Sequence, residues 1–130
     1  MPKFSRESIE KLSTCDPRLQ QIMGHVIDHF DFKVISGRRT VKEQQFLVDQ
    51  GFSKTMASKH CHDPSLAIDI APWPVNWNDT ERFIYLAGHV MMKAKEHGVN
   101  LKWGGDWDQD TEIKDTRFRD LGHFELVGEN

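Results

Sequence analysis

Residues 58–71, SKHCHDPSLAIDIA, combine a loop that contains two histidines with a short apolar run. The part from Leu66 to Ala71 is a short apolar run, and Pro72 and Pro74 follow it, so we expect a buried strand that ends there. Asp69 interrupts this run. A carboxylate in a buried strand costs free energy unless a partner compensates for its charge, and a cation would be such a partner.

Histidines occur in the loop before this strand and again near the C-terminal end of the sequence. His60 and His62 lie in the loop, and His123 begins a second strand candidate. Zinc accepts imidazole nitrogen and carboxylate oxygen, and a catalytic zinc site uses three protein ligands and a water. We therefore expect a zinc site at Asp69. Asp120, three residues before His123, is placed to act as the general base toward the water of such a site.

Helices and short strands alternate in the rest of the predicted fold. We expect strands at residues 32–36, 66–71, 101–104 and 123–127, with an acidic loop over residues 106–120. Helices are predicted at residues 5–12, from the Asp16-Pro17 cap, from the Thr40–Glu43 capping box to about Gly51, and from an Asn78–Glu81 capping box to Gly98. The expected fold class is α+β, a small, mostly antiparallel sheet with flanking helices, in a single domain over residues 1–130.

Composition excludes several other classes of protein. Lys and Arg number 17 against 20 Asp and Glu, which gives a net charge of -3 and no basic signature of a nucleic-acid-binding protein. No segment is apolar enough for membrane insertion, and residues 1–7, MPKFSRE, do not resemble a secretory signal, so we expect synthesis in the cytoplasm. Cys15 and Cys61 are too few for a disulfide scaffold and are predicted to be free thiols.

The metal-site segments resemble a known family. The pattern Ser-x-His-x-x-Gly-x-Ala-x-Asp, followed later by an acidic residue, two residues and His, is typical of the D-alanyl-D-alanine carboxypeptidase family of zinc peptidases. This family includes the L-alanyl-D-glutamate endolysins of tailed phages. Its spacing, counted back seven residues from Asp69, places His62, Asp69 and His123 at the metal positions and Asp120 at the catalytic acidic position. His60 then occupies the place of the family's Ser and is expected to hydrogen-bond near the metal.

Further segments extend the resemblance over nearly the whole chain. Residues 36–40, SGRRT, together with Gln44 are similar to a family segment whose arginine contacts the substrate or the developing oxyanion. The resemblance assigns this role to Arg39, with Arg38 as the alternative, and places Gln44 beside it. Residues 103–107, WGGDW, form another similar block, and Trp103 is expected to line the substrate groove, with core packing as the alternative.

The resemblance also implies a fold and a function. The fold would be that of lysostaphin-type peptidases and the hedgehog domain. The activity would be zinc-dependent hydrolysis of the L-alanyl-D-glutamate bond in bacterial peptidoglycan by a monomer, in the periplasm or cell wall. Without an export signal, the enzyme would need a separate holin to leave the host cytoplasm. The alternatives are a D-alanyl-D-alanine carboxypeptidase and a non-catalytic zinc-binding module, and a base at Asp120 favours catalysis over the latter.

Two other groups could also bind metal. Asp106, Asp108 and Asp110 alternate as at the start of a calcium loop, but Thr111 replaces the glycine that an EF-hand requires at its sixth position. We interpret this segment as a solvated acidic loop, with a weaker calcium site as the alternative. Cys61 is a soft zinc donor between two histidines, and we interpret it as a packing residue.

Overall fold

The computed structural model describes residues 2–53, 56–114 and 119–128. Within these ranges the predicted helices and strands are present in the predicted order, together with one short 3-10 turn. Their order is α1 (Arg6–Leu12), α2 (Pro17–Val26), β1 (Phe32–Ser36), α3 (Val41–Asp49), the 3-10 turn (Lys59–Cys61), β2 (Ala67–Pro72), α4 (Thr80–Glu96), β3 (Leu101–Gly104) and β4 (Asp120–Leu126). In this part of the chain, no helix is both long and apolar enough to cross a bilayer.

Polar side chains begin the helices, largely where the sequence predicts. Asp16 caps α2, and Thr40 and Glu43 form a complete capping box at the start of α3. The predicted Asn78 cap of α4 is wrong by one residue, because the Asp79 carboxylate accepts the hydrogen bond from the Arg82 N–H. Both residue types are good caps, so the sequence alone does not separate them.

The four strands form one antiparallel sheet in the order β1-β2-β4-β3. Strand β4 therefore lies between β2 and β3, and its register pairs Asp69 with His123. It begins at Asp120, three residues earlier than predicted, because a bulge after Trp103 lets Gly104 pair with Asp120. Residues 115–118 of the predicted acidic loop lie outside the described residues.

The sheet has one face in the hydrophobic core and one face turned away from it. Ile68, Ile70 and Phe124 belong to a core that also contains the apolar faces of α2 and α4. Because successive side chains of a strand point to opposite faces, Asp69 and His123 project from the other face. The alternation that builds the core thus places the predicted metal ligands together on the side away from it.

Candidate active site

Two histidines and one aspartate converge on this outer face of the sheet. His60 Nε2 lies 3.2 Å from Asp69 Oδ2, and His123 Nδ1 lies 2.8 Å from Asp69 Oδ1. The two inner nitrogens are 3.4 Å apart. Both imidazoles are buried, and one donor atom from each of the three residues lies within 4.8 Å of the others. Two imidazole nitrogens and a carboxylate oxygen at these distances could hold a metal ion, and they are donor types that zinc accepts.

In each of the two imidazoles, the outer nitrogen, which faces away from Asp69, is held by a hydrogen bond. This bond fixes the orientation of the ring. His60 Nδ1 is 2.7 Å from the carbonyl oxygen of Gly37, and His123 Nε2 is 2.9 Å from Glu125 Oε1. Both oxygens only accept, so each outer nitrogen carries a hydrogen and donates it. In the neutral rings the inner nitrogens then present lone pairs toward a carboxylate. Such an arrangement needs a cation or a proton between its members, and it is how proteins orient metal-binding histidines.

Gly37 lets the loop after β1 pack closely against the residues at the end of α1. A Cβ atom at this position would lie 2.4 Å from both the Lys11 carbonyl oxygen and the Thr14 hydroxyl. Only glycine therefore fits without moving the loop, and its carbonyl oxygen is held where it accepts the His60 hydrogen. The Ser36-Gly37 sequence thus supports the candidate ligand His60 as well as ending β1.

The structure brings His60, and not the predicted ligand His62, together with Asp69 and His123. His62 is exposed and is not among the side chains that converge on Asp69. The Ser58 hydroxyl accepts from the His60 N–H and begins the 3-10 turn, which directs His60 inward. The prediction counted seven residues back from Asp69, but the loop after His60 is two residues longer than the family spacing. The pair Ser58-x-His60, which fits the Ser-x-His half of the pattern, was the signal that the prediction missed.

Without a metal, the cluster is a network of opposite charges. Burial opposes ionisation of Asp69, but hydrogen bonds from His123 and His60 hold the pKa of this carboxyl well below its usual range. Burial also opposes a charge on His123, yet its bonds to Asp69 and Glu125 raise the pKa of the imidazole to about 9. The same His123 contact, together with Lys59, lowers the pKa of Glu125 against its burial. A protonated His123 therefore supplies the positive charge beside the Asp69 carboxylate.

Asp120 lines the same cavity, which has a volume of about 600 Å³ and is bounded by His60, Asp69 and His123. Burial and the nearby Asp69 charge raise the pKa of the Asp120 carboxyl, while His123, His60 and Arg39 oppose that rise. A carboxyl in such a position can accept a proton from a water and return it to a leaving group. The position of Asp120 at the first residue of β4 therefore suits it to proton transfer in this cavity.

Arg39 lies at the edge of the cavity and contacts the cluster directly. Its Nη2 donates to Asp69 Oδ2 at 2.8 Å, and its Nη1 donates to Gln44 Oε1 at 3.2 Å. Gln44 is fully buried and donates in turn to the Ser53 hydroxyl at 2.8 Å. The guanidinium is therefore fixed in position by Asp69 and Gln44. The guanidinium of its neighbour Arg38 instead lies 3.9 Å from the Asp63 carboxylate.

The tryptophans separate into a core residue and a cavity residue. Trp103 is buried, donates its indole N–H to the Leu121 carbonyl at 2.8 Å and lines no part of the cavity formed by the described residues. The prediction that Trp103 lines the substrate groove is therefore wrong, because the β3 alternation directs it into the core. Trp107 lines the cavity instead, with its ring 5.5 Å from that of His123.

The acidic loop and the cysteines do not join the cluster. Asp106, Asp108 and Asp110 form a second group of neighbouring carboxylates. Their oxygens accept hydrogen bonds from backbone N–H groups between Asp110 and Glu112, which closes a local turn. Cys15 and Cys61 are free thiols, as predicted.

Comparisons with known proteins agree with the geometry. Residues 1–127 match the family described as phage L-alanyl-D-glutamate peptidase. The L-alanyl-D-glutamate peptidase of Escherichia phage T5 is 34% identical over 135 residues, which cover 96% of this chain and 98% of that protein.

Solved structures show the same fold. The L-Ala D-Glu endopeptidase ChiX of Serratia marcescens matches with a TM-score of 0.78 and 26% identity, over 96% of this chain and 90% of ChiX. The D,D-pentapeptidase VanY from a VanB-type resistance cassette, solved with Zn(II), shares the fold with a TM-score of 0.52 and 20% identity, over 90% of this chain and 71% of that chain. With a family match over residues 1–127 and a relative that is 34% identical, the chain belongs to the phage L-alanyl-D-glutamate peptidase family.

Proposed function

We propose that this protein is a zinc-dependent endopeptidase that hydrolyses the L-alanyl-D-glutamate bond of peptidoglycan stem peptides. The observation that carries the proposal is the pair of buried imidazoles whose inner nitrogens face Asp69 while their outer nitrogens are anchored. The names of the family, of the phage T5 relative and of ChiX support the choice of bond.

Zinc would be held by His60 Nε2, the Asp69 carboxylate and His123 Nδ1. These are two neutral nitrogens and one carboxylate, which is a common set for catalytic zinc with one open position. The ion would polarise the scissile carbonyl and lower the pKa of a water at that position toward neutrality. The Gly37 carbonyl and Glu125 would hold the two rings in the tautomers that such binding requires.

Asp120 and Arg39 would supply the remaining chemistry. Asp120 would take the proton of the attacking water and deliver it to the leaving D-glutamyl amine. Its raised pKa makes the carboxylate a stronger base than an ordinary aspartate. Arg39, fixed by Gln44, would hold a substrate carboxylate or the developing oxyanion at the edge of the cavity.

Two other functions fit the same donors less well. A D-alanyl-D-alanine carboxypeptidase would use similar chemistry on another bond, but the resemblance to VanY extends to the fold alone at 20% identity. A non-catalytic zinc-binding module has no need for Asp120, which lies partly buried in the cavity with a raised pKa. The arrangement of His60, Asp69, His123 and Asp120 around one cavity therefore favours an enzyme.

The biological setting follows from the substrate. The partner would be bacterial peptidoglycan, and we propose that residues 1–130 act as a single-domain monomer with no role in nucleic-acid binding or membrane insertion. The enzyme would be made in the cytoplasm of the host and would reach the periplasm or wall through a lesion made by a separate holin. These statements rest on the family and on the substrate rather than on the geometry of the site.

Digestion of purified Gram-negative-type peptidoglycan tests the proposal. Mass spectrometry of the products should find new N-terminal D-glutamate, with L-alanine left on the glycan. Removal of metal with a chelator should stop the reaction, and stoichiometric zinc should restore it. Release of free D-alanine without D-glutamate termini would favour the carboxypeptidase. Full zinc binding with neither product would favour the non-catalytic module.

A further inference from the structure

A second cavity adjoins the candidate active site behind Arg39. It has a volume of about 570 Å³, and we call it the cationic cavity, lined among others by Lys11, Arg38, Arg39, Lys42, Phe46 and Leu47. Arg39 and Leu47 also line the cavity that contains His60, Asp69 and His123. The two cavities are therefore neighbours that share these two side chains.

The cationic cavity carries an excess of positive charge, whereas the protein as a whole is negatively charged. Its described lining has four cationic side chains and one carboxylate, Glu43, although the whole chain has a net charge of -3. Glu43 is engaged in the capping box of α3, where its carboxylate accepts the Thr40 N–H. Among the carboxylates of the described residues, the Arg38 guanidinium has one long contact, of 3.9 Å, to the exposed Asp63. Cationic donors are thus available to an anionic ligand.

The walls suit a peptide rather than a small inorganic anion. Phe46 is 60% exposed, and together with Leu47 it adds an apolar surface beside the cationic side chains. A ligand that matches both the cationic and the apolar surfaces would carry several carboxylates separated by apolar parts of its chain. Lys42 lies in the first turn of α3, where a cation is unfavourable to the helix, so its position brings no gain to the helix itself.

The stem peptide of the proposed substrate has this chemistry on one side of the bond. On the amine side, the D-glutamyl residue carries a free carboxylate, and the diamino acid that follows in Gram-negative-type walls carries another. An extended chain advances about 3.5 Å per residue, so the distal carboxylate lies on the order of 10 Å from the scissile bond. Arg39 contacts Asp69 at 2.8 Å and also lines the cationic cavity, so a ligand group at that distance has the neighbouring cavity on the Arg39 side of the cluster. The sugar side of the bond offers no comparable series of carboxylates.

We propose that the cationic cavity binds the carboxylates of the stem peptide beyond the scissile bond, with Arg38 and Lys42 as specificity-determining residues. This inference rests on the proposed function, because it takes the orientation of the substrate from the bond that is cut. It assigns the leaving side of the substrate to the Arg39 end of the active site. Amidation of the distal carboxylate removes the charge that these residues recognise.

The test uses two stem peptides that differ in one charge. Both have the sequence L-alanyl-D-glutamyl-diaminopimelate on an N-acetylmuramoyl group, and in one of them the distal diaminopimelate carboxylate is amidated. In the Arg38→Gln/Lys42→Gln double variant, KM for the free carboxylate should rise about tenfold, with kcat unchanged. KM for the amidated peptide should change less than about twofold. Lys95→Gln, an exposed lysine of α4 outside the cavity, is the matched control for loss of charge.

Binding of the same peptides to Asp120→Asn protein measures the cavity independently of turnover. A preference for the free carboxylate that disappears when Arg38 and Lys42 are replaced supports the inference, whichever bond the active enzyme cuts. An equal loss of affinity for both peptides, or no loss for either, overturns it. A loss of charge preference in Arg119→Gln instead would place the acidic stem in the opposite cavity beside Trp77, and would also overturn it.

Discussion

His60 and His62 are two positions apart and occupy opposite environments. His60 is 1% exposed and hydrogen-bonded through both ring nitrogens, whereas His62 faces solvent. Burial of an imidazole requires partners for both of its nitrogens, and His60 finds them in Gly37 and in the Asp69–His123 pair. This difference in surroundings, rather than residue type, determines which histidine is the candidate ligand.

Replacement of the two histidines should separate their roles. We expect His60→Ala to reduce zinc affinity by more than about a hundredfold, because loss of a ligand should exceed the usual cost of losing a ligand's hydrogen-bond partner. His62→Ala should keep one zinc per chain. Elemental analysis of protein purified without added metal measures both, and His60→Gln controls for the volume lost from the buried site. Normal zinc content in His60→Ala would contradict the assignment.

Asp120→Asn should leave zinc bound while removing most of the turnover. The amide keeps the shape of the side chain but cannot take a proton, and general-base contributions are on the order of a hundred- to ten-thousand-fold. Turnover of purified peptidoglycan and zinc content should be measured on the same preparation, with Asp110→Asn in the exposed loop as the control. Loss of zinc in Asp120→Asn would make Asp120 a ligand or a structural support.

At the scale of the elements, helix α3 begins beside the candidate active site, and the residues of its first turns also position Arg39. The Thr40 hydroxyl accepts the Glu43 N–H at the start of the helix, and one turn later Gln44 holds the Arg39 guanidinium. The helix start and the position of the arginine therefore share the same few residues. The sequence predicts this arrangement well, because a capping box is a local pattern that needs no tertiary contact.

Thr40→Ala should destabilise the zinc-loaded protein by about 1 kcal/mol, which is typical for loss of an N-cap side chain. Urea denaturation measures the free energy of unfolding. The matched control is Thr80→Ala, because Thr80 lies at the first position of α4 and the cap of that helix is Asp79. A cost for Thr80→Ala equal to that for Thr40→Ala would show that the capping bond is not the cause.

The elements that the sequence predicts poorly are those that depend on distant partners. The start of β4 at Asp120 follows from pairing with Gly104 across a bulge, and nothing in the acidic sequence before it has a strand pattern. A Cβ at Gly104 would lie 2.1 Å from the Asp120 carbonyl oxygen, so this close approach requires glycine. Motif spacing predicts Asp69 and His123 as partners, whereas the choice between His60 and His62 depends on the length of the loop before β2, which the spacing alone did not give.

At the scale of the whole molecule, the family and the α+β class were predictable and are confirmed. Alternation in β2 and β4 and helical periodicity in α2 and α4 define the core without knowledge of the topology. The order β1-β2-β4-β3 was not predicted, because strand order depends on which edges meet after the helices have packed.

The buried thiol of Cys15 should make the global stability sensitive to alkaline pH. Burial raises the pKa of Cys15 to about 11 from a model-peptide value of 9.0. Between these pH values the unfolded chain has released a proton that the folded chain retains, so a rise in pH favours unfolding. The part of the stability that depends on the neutral Cys15 thiol should be intact below pH 9 and fall by at most about 3 kcal/mol toward pH 11.

Denaturant unfolding at pH 8, 9, 10 and 11 measures this effect. Cys15→Ala should lose less stability over the range than the unmodified protein, and Cys61→Ala, which removes the less buried thiol, should behave like the unmodified protein. Parallel pH profiles for Cys15→Ala and the unmodified protein would assign the alkaline loss to other groups.

The place of β4 in the sheet also determines when the enzyme becomes active during its synthesis. It is the last of the described strands to leave the ribosome, yet it supplies Asp120 and His123 and joins β2 to β3. A nascent chain that ends before it contains two of the three side chains of the cluster, His60 and Asp69, and leaves the edges of β2 and β3 that pair with β4 without a partner. We therefore expect no activity from a growing chain until β4 has been made and has paired with β2 and β3.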